Sequence, residues 1–245
     1  MRMQFVLLDH QTTPLSQADM NLTRDSLDEY MQIVAEEWGG SYAFRIGKSP
    51  TDRLQTEIGI NIRDSIPEAP DAVAYHTVMT NGVPDIEMGM NNVDSIARGS
   101  DSLICALSHE CAETAVDPGG NQYAELLDGT TKARAKEASD RVQNITFRLT
   151  TGADASDFLL QSAFIPGAIG PWDYVSRVTG ANLMANQSDY SNGYDVEAVI
   201  TGDHQLFPDR RMVITSAKGH ENLSPLALNR KRGAHSRTSR RGVRL

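Results

Sequence analysis

Only two cysteines occur in the chain's 245 residues, Cys105 and Cys111, so a disulfide framework is excluded. On a helix they fall on different faces and cannot bridge each other there. Long apolar runs are also missing. The N-terminal stretch "MRMQFVLLDHQTTP" holds the run Phe5 to Leu8 before Asp9 interrupts it, too short for the core of a signal peptide. No later segment approaches the roughly 20 apolar residues of a membrane span. These absences lead to the expectation of a chain of cytoplasmic origin, without a signal peptide and without a membrane partner. Internal repeats and linkers are absent too. One domain over residues 1–228 followed by a tail over 229–245 is therefore expected, and 40% hydrophobic residues suffice for a sizeable core.

Charge is unevenly distributed. The formal net charge is −9, yet the segment "RKRGAHSRTSRRGVRL" (230–245) holds seven of the 23 Lys and Arg residues and no acid. The acidic body argues against a direct nucleic-acid regulator. The basic tail, by contrast, reads as an arm for nucleic acid or an acidic protein surface, the alternative being a solvated tail with no partner.

Periodicity predicts the elements. "MQFVLL" (3–8) reads as a strand. Thr23 is a plausible N-cap for a helix whose stripe runs Leu27, Tyr30, Met31, Val34, Ala35, Trp38, and Gly39-Gly40 ends it. Strands are predicted over 41–47 and 54–63, and a hairpin over 71–91 turning at Asn81-Gly82. A second helix runs from Ser100 or Asp101 to about Val116, stopped by Asp117-Pro118-Gly119-Gly120. Beyond it, 131–140 reads as helical, 144–149 as a strand and 156–178 as a Gly/Pro-broken loop. Short strands in "YDVEAVITG" and "RRMVITSAKG" complete the pattern.

The second helix carries the chemistry. In "LSHECAETAVDP" (107–118), His109-Glu110 followed by Glu113 reads H-E-x-x-E where a zinc peptidase shows H-E-x-x-H. Residues four apart share one helical face about 6 Å apart along the axis, so His109 and Glu113 can both reach one ion. Glu110 occupies the place of the general base that takes a proton from metal-activated water. Exchanging the second histidine for a carboxylate adds negative charge, makes the ion a poorer Lewis acid and predicts weak activity. A solvated helix face also carries glutamates, so the motif alone is weak.

Asp117 lies about 12 Å along a straight helix from His109 and reaches the ion only if the chain turns after Val116. Glu137 and Asp140, in "KEASDRV", share a face if that segment is helical, and Asp140 is preferred as third ligand. A di-metal site of the helix-bundle kind needs Glu-x-x-His pairs on two helices, and none occurs. His76 reads as an ordinary strand histidine, with the cleft as its alternative, and Tyr75 and Tyr123 are the candidate oxyanion helpers. An oxygen-rich shell of this kind admits calcium beside zinc.

The order of these pieces resembles a family of phage and bacterial proteins with a metzincin-like metallopeptidase fold. Its signature is a helix reading S-H-E, two apolar residues, E, three variable residues, D-P. "LTRDSLDEYMQIVAEEWGG" looks like the family's N-terminal helix, and "AVAYHTVMTNGVPDIEMGM" like its Tyr-His strand and hairpin. "EASDRVQN", "SDFLLQSAF", "GPWDYVSRVTG" and "NGYDV" follow in the family's order, over roughly residues 20–200. Arg141 stands where the family has Pro, Ala138-Ser139 replace larger residues, and Cys111-Ala112 replace bulkier apolar ones.

The resemblance implies an α+β fold: a twisted mixed sheet with an N-terminal helix and an active-site helix, then an irregular C-terminal part and the basic tail. It implies a zinc-dependent metallopeptidase acting on peptide or protein, an edge strand above the active-site helix holding the peptide by strand addition. Zinc would be bound by His109 and Glu113, with Asp140 or Glu137 completing the shell and Glu110 as base. Fold alone does not fix function. The competing expectation is a virion-associated structural or assembly protein that keeps a degenerate fold as scaffold, its tail contacting neighbouring subunits or nucleic acid.

Overall fold

The computed structural model describes residues 2–79, 81–119, 123–125, 132–165, 168–183, 195–201 and 211–216, with backbone alone at 123–125, 132–135, 195–201 and 211–216. The basic tail lies outside the described residues, as does the side chain of Tyr123. The chain is a mixed α+β fold. Strands β1 (Arg2–Asp9), β2 (Ser41–Ile46), β3 (Ile58–Arg63), β4 (Ala74–Val78) and β5 (Pro84–Gly89) form a sheet in the order β2-β1-β3-β5-β4. The first four of these neighbours run parallel, and β4 pairs antiparallel with β5 as an edge. Helix α1 (Gln17–Trp38) and helix α2 (Leu103–Val116) pack on each other and against this sheet. Among the described residues, no helix is long and apolar enough to cross a membrane.

Alternation along the strands separates two chemistries. Ile58, Ile60 and Ile62 of β3 join Ile86 and Met88 of β5 in the core that meets the helices. The intervening positions face the other way. Asn61 there accepts through Oδ1 from His10 Nε2 at 3.1 Å and donates through its amide nitrogen to Glu87 at 2.9 Å, while Arg63 and Arg53 pair with Glu87 and Asp85. The polar face is held by these buried or half-buried charge pairs, each geometrically close enough for a charge-assisted hydrogen bond.

The N-cap of α1 lies seven residues before the predicted one. Ser16 is the cap: its hydroxyl accepts from the Asp19 amide at 3.1 Å and donates to the Asp19 carboxylate at 2.6 Å. Thr23 sits inside the helix, buried, and its hydroxyl donates to the Asp19 carbonyl at 2.8 Å. Hydroxyl side chains serve both purposes, and Ser16-x-x-Asp19 is the stronger signal because it carries the Ser-x-x-acid pattern of a helix start. The stripe meets the core as expected at Leu27, Tyr30, Met31 and Val34, all fully buried. Gly39, at φ +74°, closes the helix.

Two further predictions are corrected. Strand β3 begins at Ile58, because residues 49–57 turn and place Arg45 and Glu57 in a bidentate ion pair instead. The segment 131–140 is not helical: β7 (Lys132–Ala135) pairs with β6 (Tyr123–Glu125), and turns follow from Ser139. Farther on, β8 (Thr146–Arg148) pairs with β9 (Asp154–Ser156), α3 spans Tyr174–Thr179, and β10 (Asp195–Thr201) pairs with β11 (Arg211–Ser216) and β7.

Candidate metal centre

Ser102 caps α2, its hydroxyl accepting from the Cys105 amide at 3.2 Å, and every residue of the helix except Ala115 is buried. Its N-terminal part is apolar enough to lie inside the core. Leu103, Leu107 and Cys111 join that core, so the 3.6-residue period turns His109, Glu110 and Glu113 toward β4 and the segment after β7. Both cysteines are free and buried. Ser108, just before His109, fixes the helix against β9: the Ser156 amide donates to its hydroxyl at 2.9 Å.

Around this face four carboxylates and two imidazoles meet. His109 Nε2 lies 3.2 Å from Glu113 Oε1 and 3.3 Å from Asp140 Oδ1. From β4, His76 Nδ1 lies 3.1 Å from Glu110 Oε2 and 3.4 Å from Glu113 Oε2. His76 is therefore not an ordinary strand histidine. Its cross-strand partner Ile86 faces the core, and alternation turns His76 to that same side. Tyr75, one residue away, faces the opposite side toward Glu87, which removes it from the centre as an oxyanion helper.

The segment carrying Glu137 and Asp140 reaches the centre as a turn. Leu159 donates its amide to the Ala138 carbonyl at 2.7 Å, and Trp38 at the end of α1 donates its indole N–H to the Leu159 carbonyl at 2.9 Å. The amides of Ser139 and Asp140 then donate to Glu113 Oε1 at 3.3 and 3.1 Å. Ala138 and Ser139 are fully buried, and their small side chains suit this close approach of backbone to carboxylate. Asp117 is buried at the C-cap of α2, as the turn after Val116 allows, but stands outside the two groups of converging donors. Those groups are His109, Glu113, Asp140 and His76, Glu113, Glu137, each with its ligand atoms within 4.8 Å of one another.

Electrostatics in the metal-free centre follow from burial and neighbouring charge. Burial alone would lower the pKa of His109, but the Glu113 charge, the hydrogen bonds to Asp140 and Glu113 and the Glu110 charge overcome it and push it up to about 10. His76 is raised well above its ordinary value against the same burial cost, through Glu110, Glu113 and Glu137. Glu113 shows the reciprocal effect: burial opposes ionisation, and the two histidines hold its carboxyl far below the usual range.

The donor set suits a divalent ion. Bonds of 2.0–2.1 Å in a tetrahedral shell put neighbouring ligand atoms about 3.3 Å apart, the separation found between His109 and both of its carboxylate neighbours. Direct charge-assisted N–H···O bonds are shorter, about 2.7–2.9 Å. The buried His, Glu and Asp groups could thus hold a metal ion. His109 Nδ1 is buried and has no hydrogen-bond partner among the described residues.

The sequence puts His109 and Glu113 on one helical face with Glu110 beside them, and the structure brings Asp140, Glu137 and His76 to them. For His76 the sequence favours an ordinary strand position over the cleft; the signal for the cleft was the two-residue period set by Ala74 and its partner strand. Comparison with protein-family models, with curated proteins and with solved structures finds no match to this chain.

Proposed function

We propose that this chain is a zinc-dependent, metzincin-like metallopeptidase. The observation that carries the reading is the buried convergence of His109, Glu113 and Asp140 at the spacing of one ion's coordination shell, beside the carboxylate of Glu110. His109, Glu113 and Asp140 would hold the ion. When bound, it supplies Lewis acidity toward a peptide carbonyl and makes water easier to deprotonate. A shell with two carboxylates moderates that acidity.

The chain's own groups have separate tasks. Glu110 accepts the proton of the attacking water at a carboxylate oxygen and returns it to the leaving amine. His76 Nδ1 lies 3.1 Å from Oε2 of that carboxylate. The amides of Ser139 and Asp140 fix Glu113, so that its Oε1 keeps its direction. β4 is an antiparallel edge of the sheet, and α2 packs against it. Among the described residues β4 is the last strand of its sheet, the position at which an extended peptide adds as a further strand, which supports a peptide substrate.

The test is hydrolysis of a fluorescence-quenched peptide mixture by the zinc-loaded protein and its Glu110→Gln variant at equal zinc content. A rate at least about a hundredfold lower in the variant is expected for loss of a general base. Equal rates in both proteins would overturn the proposal.

A further inference from the structure

We propose that the centre seats two divalent ions, the second held by His76, Glu113 and Glu137, with Glu113 bridging the pair. The inference rests on the metallopeptidase reading and deepens it. Glu113 presents its two oxygens to different imidazoles: Oε1 lies 3.2 Å from His109 and Oε2 lies 3.4 Å from His76. Both separations are near the ~3.3 Å edge of a tetrahedral shell. Each imidazole brings its own further carboxylate, Asp140 for His109 and Glu137 for His76, and each triad converges within 4.8 Å. A carboxylate flanked in this way by two half-shells has the arrangement of a bridging ligand, and paired ions sharing a site stand roughly 3.5–4 Å apart.

Charge leads to the same result. Glu110, Glu113, Glu137 and Asp140, the four carboxylates that meet there, are all buried. Buried charges are costly unless compensated. With neutral imidazoles as ligands, two divalent ions match these four carboxylates, and one ion matches half of them. The helix-bundle template of Glu-x-x-His pairs misses this arrangement, because here the second imidazole comes from β4 and the outer carboxylates from a turn. One nitrogen and two oxygens suit manganese, iron(II), cobalt or zinc as the second ion.

The experiment is titration of the chelator-treated full chain with cobalt(II) chloride, counting bound ions by equilibrium dialysis and elemental analysis, with visible and electron paramagnetic resonance spectra. The wild type is expected to bind two ions per chain with spin-coupled spectra, and His76→Ala one. Glu137→Gln, a milder change, is expected to weaken the second ion at least tenfold. It decides the question if circular dichroism shows His76→Ala unfolded. One ion per chain in the wild type, with affinity unchanged in Glu137→Gln, overturns the second seat and leaves the single-ion peptidase standing. No ion in the wild type overturns both. Two ions without peptide hydrolysis supports the second seat and overturns the peptidase reading alone.

Discussion

Replacing Glu113 by glutamine in the metal-free protein isolates the electrostatic core of the centre. In the folded chain the His109 proton is retained up to about 10, against an ordinary value of 6.5. A histidine with a raised folded pKa stabilises fully below its unfolded value, and the contribution shrinks as pH rises toward the folded one. Between about pH 6.5 and 8.5, at up to about 1.36 kcal/mol per unit, His109 should therefore lose about 2 kcal/mol of its contribution. His76 changes in the same direction. Glu113 itself, with a lowered folded pKa, contributes fully above 4.5 and is constant over this window. In Glu113→Gln the burial cost on His109 has lost its largest opposing charge, so most of the pH dependence should vanish. Urea unfolding with chelator present at both pH values measures the difference. The wild type should lose about 2 kcal/mol more than the variant on going from pH 6.5 to 8.5. Terms common to both proteins cancel in that difference. Parallel losses in the two proteins would refute the reasoning.

Asp157 gives an independent prediction. Burial first, then the neighbouring Asp173 carboxyl, raise its pKa to about 8, while the Val175 and Phe158 amides donate to Oδ1 at 3.0 and 2.8 Å. Retaining that proton in the fold costs stability increasingly as pH rises from 3.8 toward 8. Asp157→Asn keeps both amide bonds and donates to Asp173, and should stabilise by about 1–3 kcal/mol at pH 7 and by almost nothing near pH 4. Equal effects at both pH values in thermal or urea unfolding would contradict it. Ser16→Ala removes the cap of α1 and should cost about 1 kcal/mol, with ion binding unchanged; an unchanged unfolding midpoint would contradict the capping assignment.

Local pattern carried much of this fold, and contacts distant in sequence carried the rest. The stripe of α1, the strands at 41–46 and 84–89 and the extent of α2 follow from periods of 3.6 and 2.0 acting on nearby residues. The start of α1 was legible as well, in Ser16-x-x-Asp19, but Thr23 competed because a hydroxyl inside a helix and one at its cap look alike in sequence. His109, Glu110 and Glu113 were readable because one helix holds them. His76 was not, since the face of a strand that meets α2 is fixed only when β4 pairs with β5 in its observed register. Glu137 and Asp140 were legible as residue types, but not by the predicted helical face: a turn pinned to Leu159 and Glu113 delivers them.

Whether His109, Glu113 and Asp140 hold a metal ion is decided by crystals of the full chain grown with zinc and measured on both sides of the zinc absorption edge. An anomalous peak is expected about 2.0–2.2 Å from His109 Nε2, Glu113 Oε1 and Asp140 Oδ1. A fully zinc-equilibrated crystal with ordered side chains there and no peak between them would contradict it.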